Sequence, residues 1–145
     1  MKKIFSALVI LTTTFSLARA QVSKNKFPVP EKVKHALIIK YPCAKHVEWE
    51  RENGNYEANW GGKSGEDSSV QFSPGGDFVE MATAIQPAQL PGAVLSYIHI
   101  HYKKNGLITE AAEITDAGGN RFYEAEVHGK DIRFNKDGMF VGSEK

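Results

Sequence analysis

The sequence contains a single cysteine, Cys43, among its 145 residues. One cysteine excludes a disulfide within the chain and every site that needs two thiols, such as a CxxC redox or zinc site. The charge is also nearly balanced, with 18 basic and 17 acidic residues, so electrostatics give no reason to expect a nucleic-acid partner. Hydrophobic residues make up 41% of the chain and charged residues 24%, which is typical of a globular protein and excludes full disorder.

The motifs of the common enzyme classes are missing as well. The chain has no GxSxG, HExxH, GxGxxG or P-loop sequence. Cys43 and His46 are three residues apart, but no third group accompanies them to orient a thiol–imidazole pair. We therefore expect Cys43 to be a small buried side chain, His46 to be solvated, and the protein to have no catalytic activity. An intermolecular disulfide and a reactive thiol are the alternatives for Cys43.

The only long hydrophobic run lies at the N-terminus. Residues 1–20 combine two lysines, an apolar run and the sequence Ala-Arg-Ala, in the order typical of a secretory signal peptide cleaved after Ala20. The run is short for a membrane span, so we expect a periplasmic or secreted protein without membrane attachment after cleavage; an N-terminal anchor is the alternative. Cleavage leaves 125 residues with 15 basic and 17 acidic side chains, a net charge of −2, which suits one compact domain.

The rest of the chain shows the pattern of an internal repeat. After a lead-in over residues 21–29, Pro30 aligns with Pro91 at a shift of 61 residues, and a shift of 62 restores the alignment near the end. These shifts predict one repeat over residues 30–85 and a second over residues 90–145. The aligned pairs include Val33 with Val94, Ile39 with Ile100, Tyr41 with Tyr102, Phe72 with Phe134, Gly76 with Gly138 and Phe78 with Phe140.

Each repeat begins with a helical pattern and continues with alternating strands. A proline opens each helix, and apolar residues recur at four-residue spacing behind it. Turn signals such as Asn53-Gly54 then separate about four strands in each repeat. The predicted fold is α+β, with two tandem αββββ repeats that form a continuous antiparallel sheet with two helices on one face. The helical stripes are Val33, Leu37 and Tyr41 in the first repeat and Leu90, Val94 and Ile98 in the second.

The strand alternation assigns two faces to the predicted sheet. The apolar face, which the helices cover, is predicted to carry Val47, Trp49, Tyr56, Ala58, Trp60, Val70, Phe72, Ile108, Tyr123, Ala125, Val127, Ile132 and Phe134. The opposite face is polar and faces water. Its five glutamates would repel each other across strands unless basic groups lie between them or a basic partner covers them, and Phe122 is a candidate aromatic anchor. The candidate contact residues are Glu48, Glu50, Glu57, Asn59, Gln71, Phe122, Glu124, Glu126, His128 and Arg133.

The order of these motifs resembles the PepSY-like family, also described as β-lactamase-inhibitor-like, which is common among periplasmic proteins of Bacteroidetes-type bacteria. The resemblance covers residues 27–145. Its motifs are Y-P-x-A-x-x-V-x-W at 41–49, Y-E-A at 56–58, and F-x-x-x-G-x-F-V at 72–79 and again at 134–141. The resemblance implies a sheet with two helices packed on one face, and binding or inhibition of another protein. No inhibitory loop matches residue by residue, so β-lactamase inhibition is not carried over.

A periplasmic sensor of a small ligand or a cation such as calcium is the alternative function. His99 and His101 lie on a predicted helix, where residues two apart point roughly 200° apart and cannot hold one ion together. Residues 135–138 resemble the middle of an EF-hand loop, but Arg133 occupies the first ligand position and no closing glutamate follows. A glycine-rich turn likewise explains Asp116 and Asn120. We therefore assign no metal ligand and no cofactor, expect a protein or peptide as the partner, and leave the oligomeric state open.

Overall fold

The structure is a computed structural model, and it describes residues 27–63, 66–102 and 106–144. The predicted signal peptide, its cleavage site and most of the predicted lead-in lie outside these residues. Two helices, one 3-10 turn (Pro87–Gln89) and eight strands make up the described part of the chain. They are α1 Glu31–Lys40, β1 Glu48–Glu52, β2 Asn55–Trp60, β3 Ser68–Phe72, β4 Phe78–Ala84, α2 Gly92–His101, β5 Ile108–Asp116, β6 Arg121–Val127, β7 Lys130–Asn135 and β8 Phe140–Glu144.

All eight strands belong to one antiparallel sheet in which spatial order follows chain order from β1 to β8. The pairing of β4 with β5 joins the two halves of the chain, with Ala82 opposite Ile114 and Ala84 opposite Ala112. Because this pair is hydrogen-bonded like the others, the sheet is continuous, as predicted. The α+β class and the helices on one face are confirmed as well.

Proline sets the start of both helices. The carbonyl of Pro30 accepts hydrogen bonds from the N–H groups of Val33 and Lys34, and the carbonyl of Pro91 accepts them from Val94 and Leu95. Proline itself has no N–H, and the first turn of a helix does not need one. The first helix ends at Lys40 because the next residue, Tyr41, precedes Pro42 and is therefore disfavoured in helical geometry.

The core consists of two clusters, one beneath each helix. The first holds Val33 and Leu37 of α1 against Tyr56, Ala58, Val70 and Phe72. The second holds Val94 and Ile98 of α2 against Leu90, Ala111, Ala125, Val127, Ile132 and Phe134. Each of the thirteen side chains predicted for the apolar face lies in one of these clusters or packs against it. That part of the prediction is confirmed. Burial of such side chains is the main stabilising contribution to the fold.

Three local predictions need correction or completion. Cys43 is exposed rather than buried, because it lies in the turn that follows the end of α1. Leu90 precedes α2 instead of belonging to it, yet it is buried at the end of the 3-10 turn. The sequence pair Asn105-Gly106 predicts the end of the second helix. That helix ends at His101, and Asn105 lies outside the described residues.

Gly138 lets the turn between β7 and β8 pass close beneath α2. Its φ is +78°, and a Cβ added there would lie 2.7 Å from the Cβ of Ala93. We expect Gly138→Ala to lower the free energy of unfolding by about 2–4 kcal/mol, from the left-handed backbone and the steric overlap together. Gly129 is the matched control, since its φ is +69° with no atom within 4 Å of an added Cβ. Urea denaturation should show that Gly129→Ala lowers the free energy of unfolding by only about 1 kcal/mol. Equal decreases in the two variants would contradict the close approach of the turn to α2.

Candidate functional site

The face of the sheet opposite the helices forms an open groove of about 780 Å³. Strand register places the side chains of alternate positions on this face, most of them polar, in rows that cross the sheet. One row consists of Glu50, Glu57, Gln71 and Glu80, and another consists of Ala112, Glu124 and Arg133. The alternation in the sequence therefore produces a shared polar surface.

An ion pair between Glu80 and Arg133 shows how strongly this surface curves. Glu80 lies on β4 and Arg133 on β7, so three strand spacings, roughly 14 Å in a flat sheet, separate their backbones. The guanidinium nevertheless donates two hydrogen bonds to the carboxylate, Nη2 to Oε2 at 2.6 Å and Nη1 to Oε1 at 3.4 Å. The sheet must curl towards this face, which is therefore concave.

Small and apolar side chains form the floor of the groove. Ala82 and Ala84 of β4 lie beside Ala112 and Ile114 of β5, and the Ile114 side chain is only 2% exposed. A register shift between Ile108 and Glu110 makes this floor possible. With strict alternation from Ile108, the side chains of Glu110, Ala112 and Ile114 would point towards the helices. The β-bulge redirects them into the groove.

The walls of the groove are strongly acidic. Among the described residues that line it there are ten carboxylates and one guanidinium, that of Arg133. The carboxylates belong to Glu50, Glu52, Glu57, Glu66, Asp67, Glu80, Glu110, Glu124, Glu126 and Asp131. Neutral groups hold several of them in place.

Three hydrogen bonds illustrate this support. The Ser69 hydroxyl donates to Glu57. The Gln71 amide donates to Glu52 at 2.5 Å, and the Thr109 hydroxyl donates to Glu126 at 2.5 Å. Neutral donors orient a carboxylate without cancelling its charge, so the face keeps its negative potential.

The most perturbed acid in the groove is Glu124. The pKa of Glu124 is raised to about 7, first by burial and then by the negative charge of Asp131, with smaller contributions from Glu80 and Glu52, while the positive charge of Arg133 opposes the rise. Glu52 is on β1, five strands away from β6, so its effect also reflects the curvature of the sheet. The pKa of Glu110 is raised too, first by burial and then by Glu126, Glu66 and Asp131. Carboxylates from both halves of the chain thus act on one another across the groove.

Seven of the ten candidate contact residues line the groove: Glu50, Glu57, Asn59, Gln71, Glu124, Glu126 and Arg133. Glu48 lies on the same face at the edge strand, opposite Asn59. Phe122 also lies on this face, opposite Ile114, and its ring is covered by the Arg133 guanidinium at 4.6 Å from the ring centre.

His128 is not on the polar face. The strand β6 ends at Val127, and His128 enters the next turn with a φ of +56°, which breaks the alternation. Its ring lies 6.2 Å from the ring of Tyr102, a side chain that packs against the second core cluster beneath α2. The alternation ends with Val127, so the predicted position of His128 on the polar face is wrong.

Several groove residues are not in the predicted set. Glu80, Ala82 and Ala84 lie on the face opposite Phe78, because the pairing of β3 with β4 shifts register between Gln71 and Phe72. Strict alternation from Phe78 would assign them to the helix side. The sequence likewise carries no visible signal for the bulge that places Glu110, Ala112 and Ile114 in the groove.

The turns considered as cation sites are closed by their own hydrogen bonds. Asp116 accepts the backbone N–H of Asn120 at 2.8 Å and its side-chain amide at 2.9 Å, and these bonds lower the pKa of Asp116. Asn135 accepts the backbone N–H groups of Asp137 and Met139, both at 3.0 Å. Within the described ranges, no three His, Cys, Asp or Glu side chains are grouped so that they could hold a metal ion. No described helix is long and apolar enough to span a membrane.

The architecture defined above is shared with solved structures. A protein of Bacteroides eggerthii described as periplasmic is 19% identical, with a TM-score of 0.65 over 81% of this chain and 89% of that one. A DUF2874 family protein of Bacteroides uniformis is 21% identical, with a TM-score of 0.63 over 79% of this chain and 88% of that one. A BLIP-like protein of Bacteroides fragilis is 20% identical, with a TM-score of 0.55 over 83% of this chain and 88% of that one.

These likenesses concern the fold. No protein-family model and no curated protein matches the sequence. The resemblance to β-lactamase-inhibitor-like proteins is confirmed at that level, since a BLIP-like protein shares the arrangement of sheet and helices. The residues of the groove have to be interpreted from their own chemistry.

Proposed function

We propose that this chain is an exported, non-enzymatic binding module that holds a protein or peptide in the groove of its sheet. The observation that carries the proposal is the groove itself, a concave polar face of about 780 Å³ that both helices leave uncovered. A face of this size with an apolar floor and polar walls suits recognition of a polypeptide segment. The periplasmic description of one structural neighbour and the BLIP-like description of another support export and protein binding.

The contents of the groove support binding rather than catalysis. Its side chains are carboxylates, amides, hydroxyls, small apolar groups and one arginine that is paired with Glu80. Cys43 and His46, the one thiol–imidazole combination close in sequence, follow α1 and do not line the groove. A nucleophile and its base would have to lie together in the pocket where the substrate binds.

We also propose that the two halves of the chain are tandem copies of one unit. Each half consists of a helix followed by four strands, and each helix follows a proline. An added Cβ at Gly76 would lie 3.1 Å from the carbonyl oxygen of Lys32, while at Gly138 it would meet Ala93. Both glycines thus bring a turn beneath the second helical residue of their own half, as a shared ancestral unit would require.

A bulky substitution on the groove floor tests the binding surface. Ala82→Trp places a large ring in the groove, and we expect it to abolish recovery of the partner that wild-type protein recovers from periplasmic extract of the native host. Thr83→Trp is the matched control, because the next residue of β4 points to the opposite face and is exposed there. If Ala82→Trp recovers the same proteins as wild type and Thr83→Trp, the groove is not the binding surface.

A further inference from the structure

We propose that the polypeptide segment held in the groove is basic, with lysine or arginine side chains that reach the acidic walls. This inference depends on the proposed function, and it names the chemistry of the partner. It rests on three features of the groove: its charge balance, its like-charged strand pairs and its floor.

The charge balance favours a cationic occupant. Ten carboxylates and one guanidinium line the described part of the groove, although the chain as a whole has 18 basic and 17 acidic side chains. The charges of the protein are therefore distributed unevenly, and the excess of negative charge faces the concave side. Concave, partly desolvated surfaces of one sign attract groups of the opposite sign more strongly than flat ones do.

The like-charged strand pairs give a second argument. Glu50 lies directly opposite Glu57, and Glu126 lies opposite Glu110. Directly opposed like charges destabilise a sheet. Because a cation between two such carboxylates removes their repulsion, a basic segment gains binding energy that a neutral or acidic segment cannot gain.

The floor explains why the occupant is a polypeptide segment and not a free ion. Ala82, Ala84 and Ala112 leave room along the centre of the sheet, and their methyl groups give this room an apolar floor. The aliphatic stems of lysine and arginine pack on such a surface while their charged ends extend to the walls. By contrast, no described carboxylate cluster has the arrangement of a metal site.

Binding of short labelled peptides tests the inference directly. Fluorescence anisotropy compares peptides of alternating alanine and lysine, alanine and glutamine, and alanine and glutamate. We expect only the lysine peptide to bind, with an affinity that falls as salt rises, since ions screen charge pairs that remain in contact with water. Combined Glu50→Gln, Glu57→Gln and Glu126→Gln changes should weaken its binding about tenfold.

A second triple variant controls for general attraction to an acidic protein. Glu31→Gln, Glu113→Gln and Asp137→Asn remove the same number of charges from surface ion pairs outside the groove. This variant should bind the lysine peptide as wild type does. Far-ultraviolet circular dichroism and thermal melts confirm that both triple variants, whose changes are isosteric, remain folded.

The outcomes separate this inference from the proposed function. Equal binding of the glutamine and lysine peptides, or equal weakening by the two triple variants, overturns the basic segment. If Ala82→Trp still abolishes partner recovery in that case, the groove remains the binding surface and only its preferred chemistry is wrong. If Ala82→Trp has no effect on partner recovery or on peptide binding, both proposals are wrong.

Discussion

Phe134→Ala is expected to lower the free energy of unfolding by about 3–5 kcal/mol. Phe134 has no exposed surface, and its ring packs edge-on against Tyr97 at 5.3 Å between ring centres and against Phe140 at 6.4 Å. It lies in the buried cluster beneath α2, so removal of its ring leaves a cavity there. Since whole domains are stable by about 5–15 kcal/mol, the variant should be close to unfolding at ordinary temperature.

Phe122→Ala is the matched control for this prediction. Phe122 lies on β6 beside β7, but on the polar face, where it is half-buried and contacts Arg133. Removal of the Phe122 ring should lower the free energy of unfolding by about 1 kcal/mol, because a cation–π contact and some buried apolar area are lost. Urea denaturation followed by circular dichroism measures both variants. A cost for Phe122→Ala that equals the cost for Phe134→Ala would contradict the assignment of the core to the helix side.

Tryptophan fluorescence adds a test of how the two halves depend on each other. The two tryptophans, Trp49 and Trp60, both pack against the first cluster, whereas Phe134 belongs to the second. Five residue pairs join β4 to β5 and make the sheet continuous. We therefore expect the fluorescence transition of Phe134→Ala to shift together with the circular dichroism transition. A fluorescence transition unchanged from wild type would show that the halves unfold separately.

The apolar face could be predicted from sequence because its information is local. A strand has a period of two, so one correctly placed residue such as Trp49 or Phe72 fixes the face of its whole strand. The turn signals Asn53-Gly54 and Asp137-Gly138 fixed the ends of the strands, since both need backbone conformations that glycine tolerates. The prediction is incomplete after Ile108, where a bulge interrupts the period of β5, and it is wrong at His128, which lies beyond the end of β6.

The shape of the groove could not be predicted because it depends on contacts that are distant in sequence. The Glu80–Arg133 pair joins residues 53 positions apart across three strand spacings. Alternation shows that both side chains are on the polar face, but it contains no information on the curl that brings them together. For the same reason the sequence shows many carboxylates on one face without showing that those of β1 and β6 influence each other.

The burial of Glu124 in the groove has a measurable consequence for stability. Burial raises the pKa of Glu124 to about 7 from an ordinary value of 4.5, and Asp131 is the next largest cause. Between these values the folded chain binds more protons than the unfolded chain, so the free energy of unfolding falls as the pH rises. This loss of stability, which arises from ionising Glu124 in the folded chain, is absent below about pH 4.5 and complete above about pH 7. It amounts to at most about 3 kcal/mol.

Glu124→Gln should remove this cost, because a neutral amide of the same shape takes the place of the buried carboxylate. Urea denaturation across the pH series is expected to show the variant more stable than wild type by about 2–3 kcal/mol at pH 8, with the difference vanishing near pH 4.5. Glu50→Gln is the control, since Glu50 lines the same groove but is exposed, and it should retain the wild-type dependence. If Glu124→Gln follows the wild-type curve at every pH, the carboxylate of Glu124 is not desolvated in the groove.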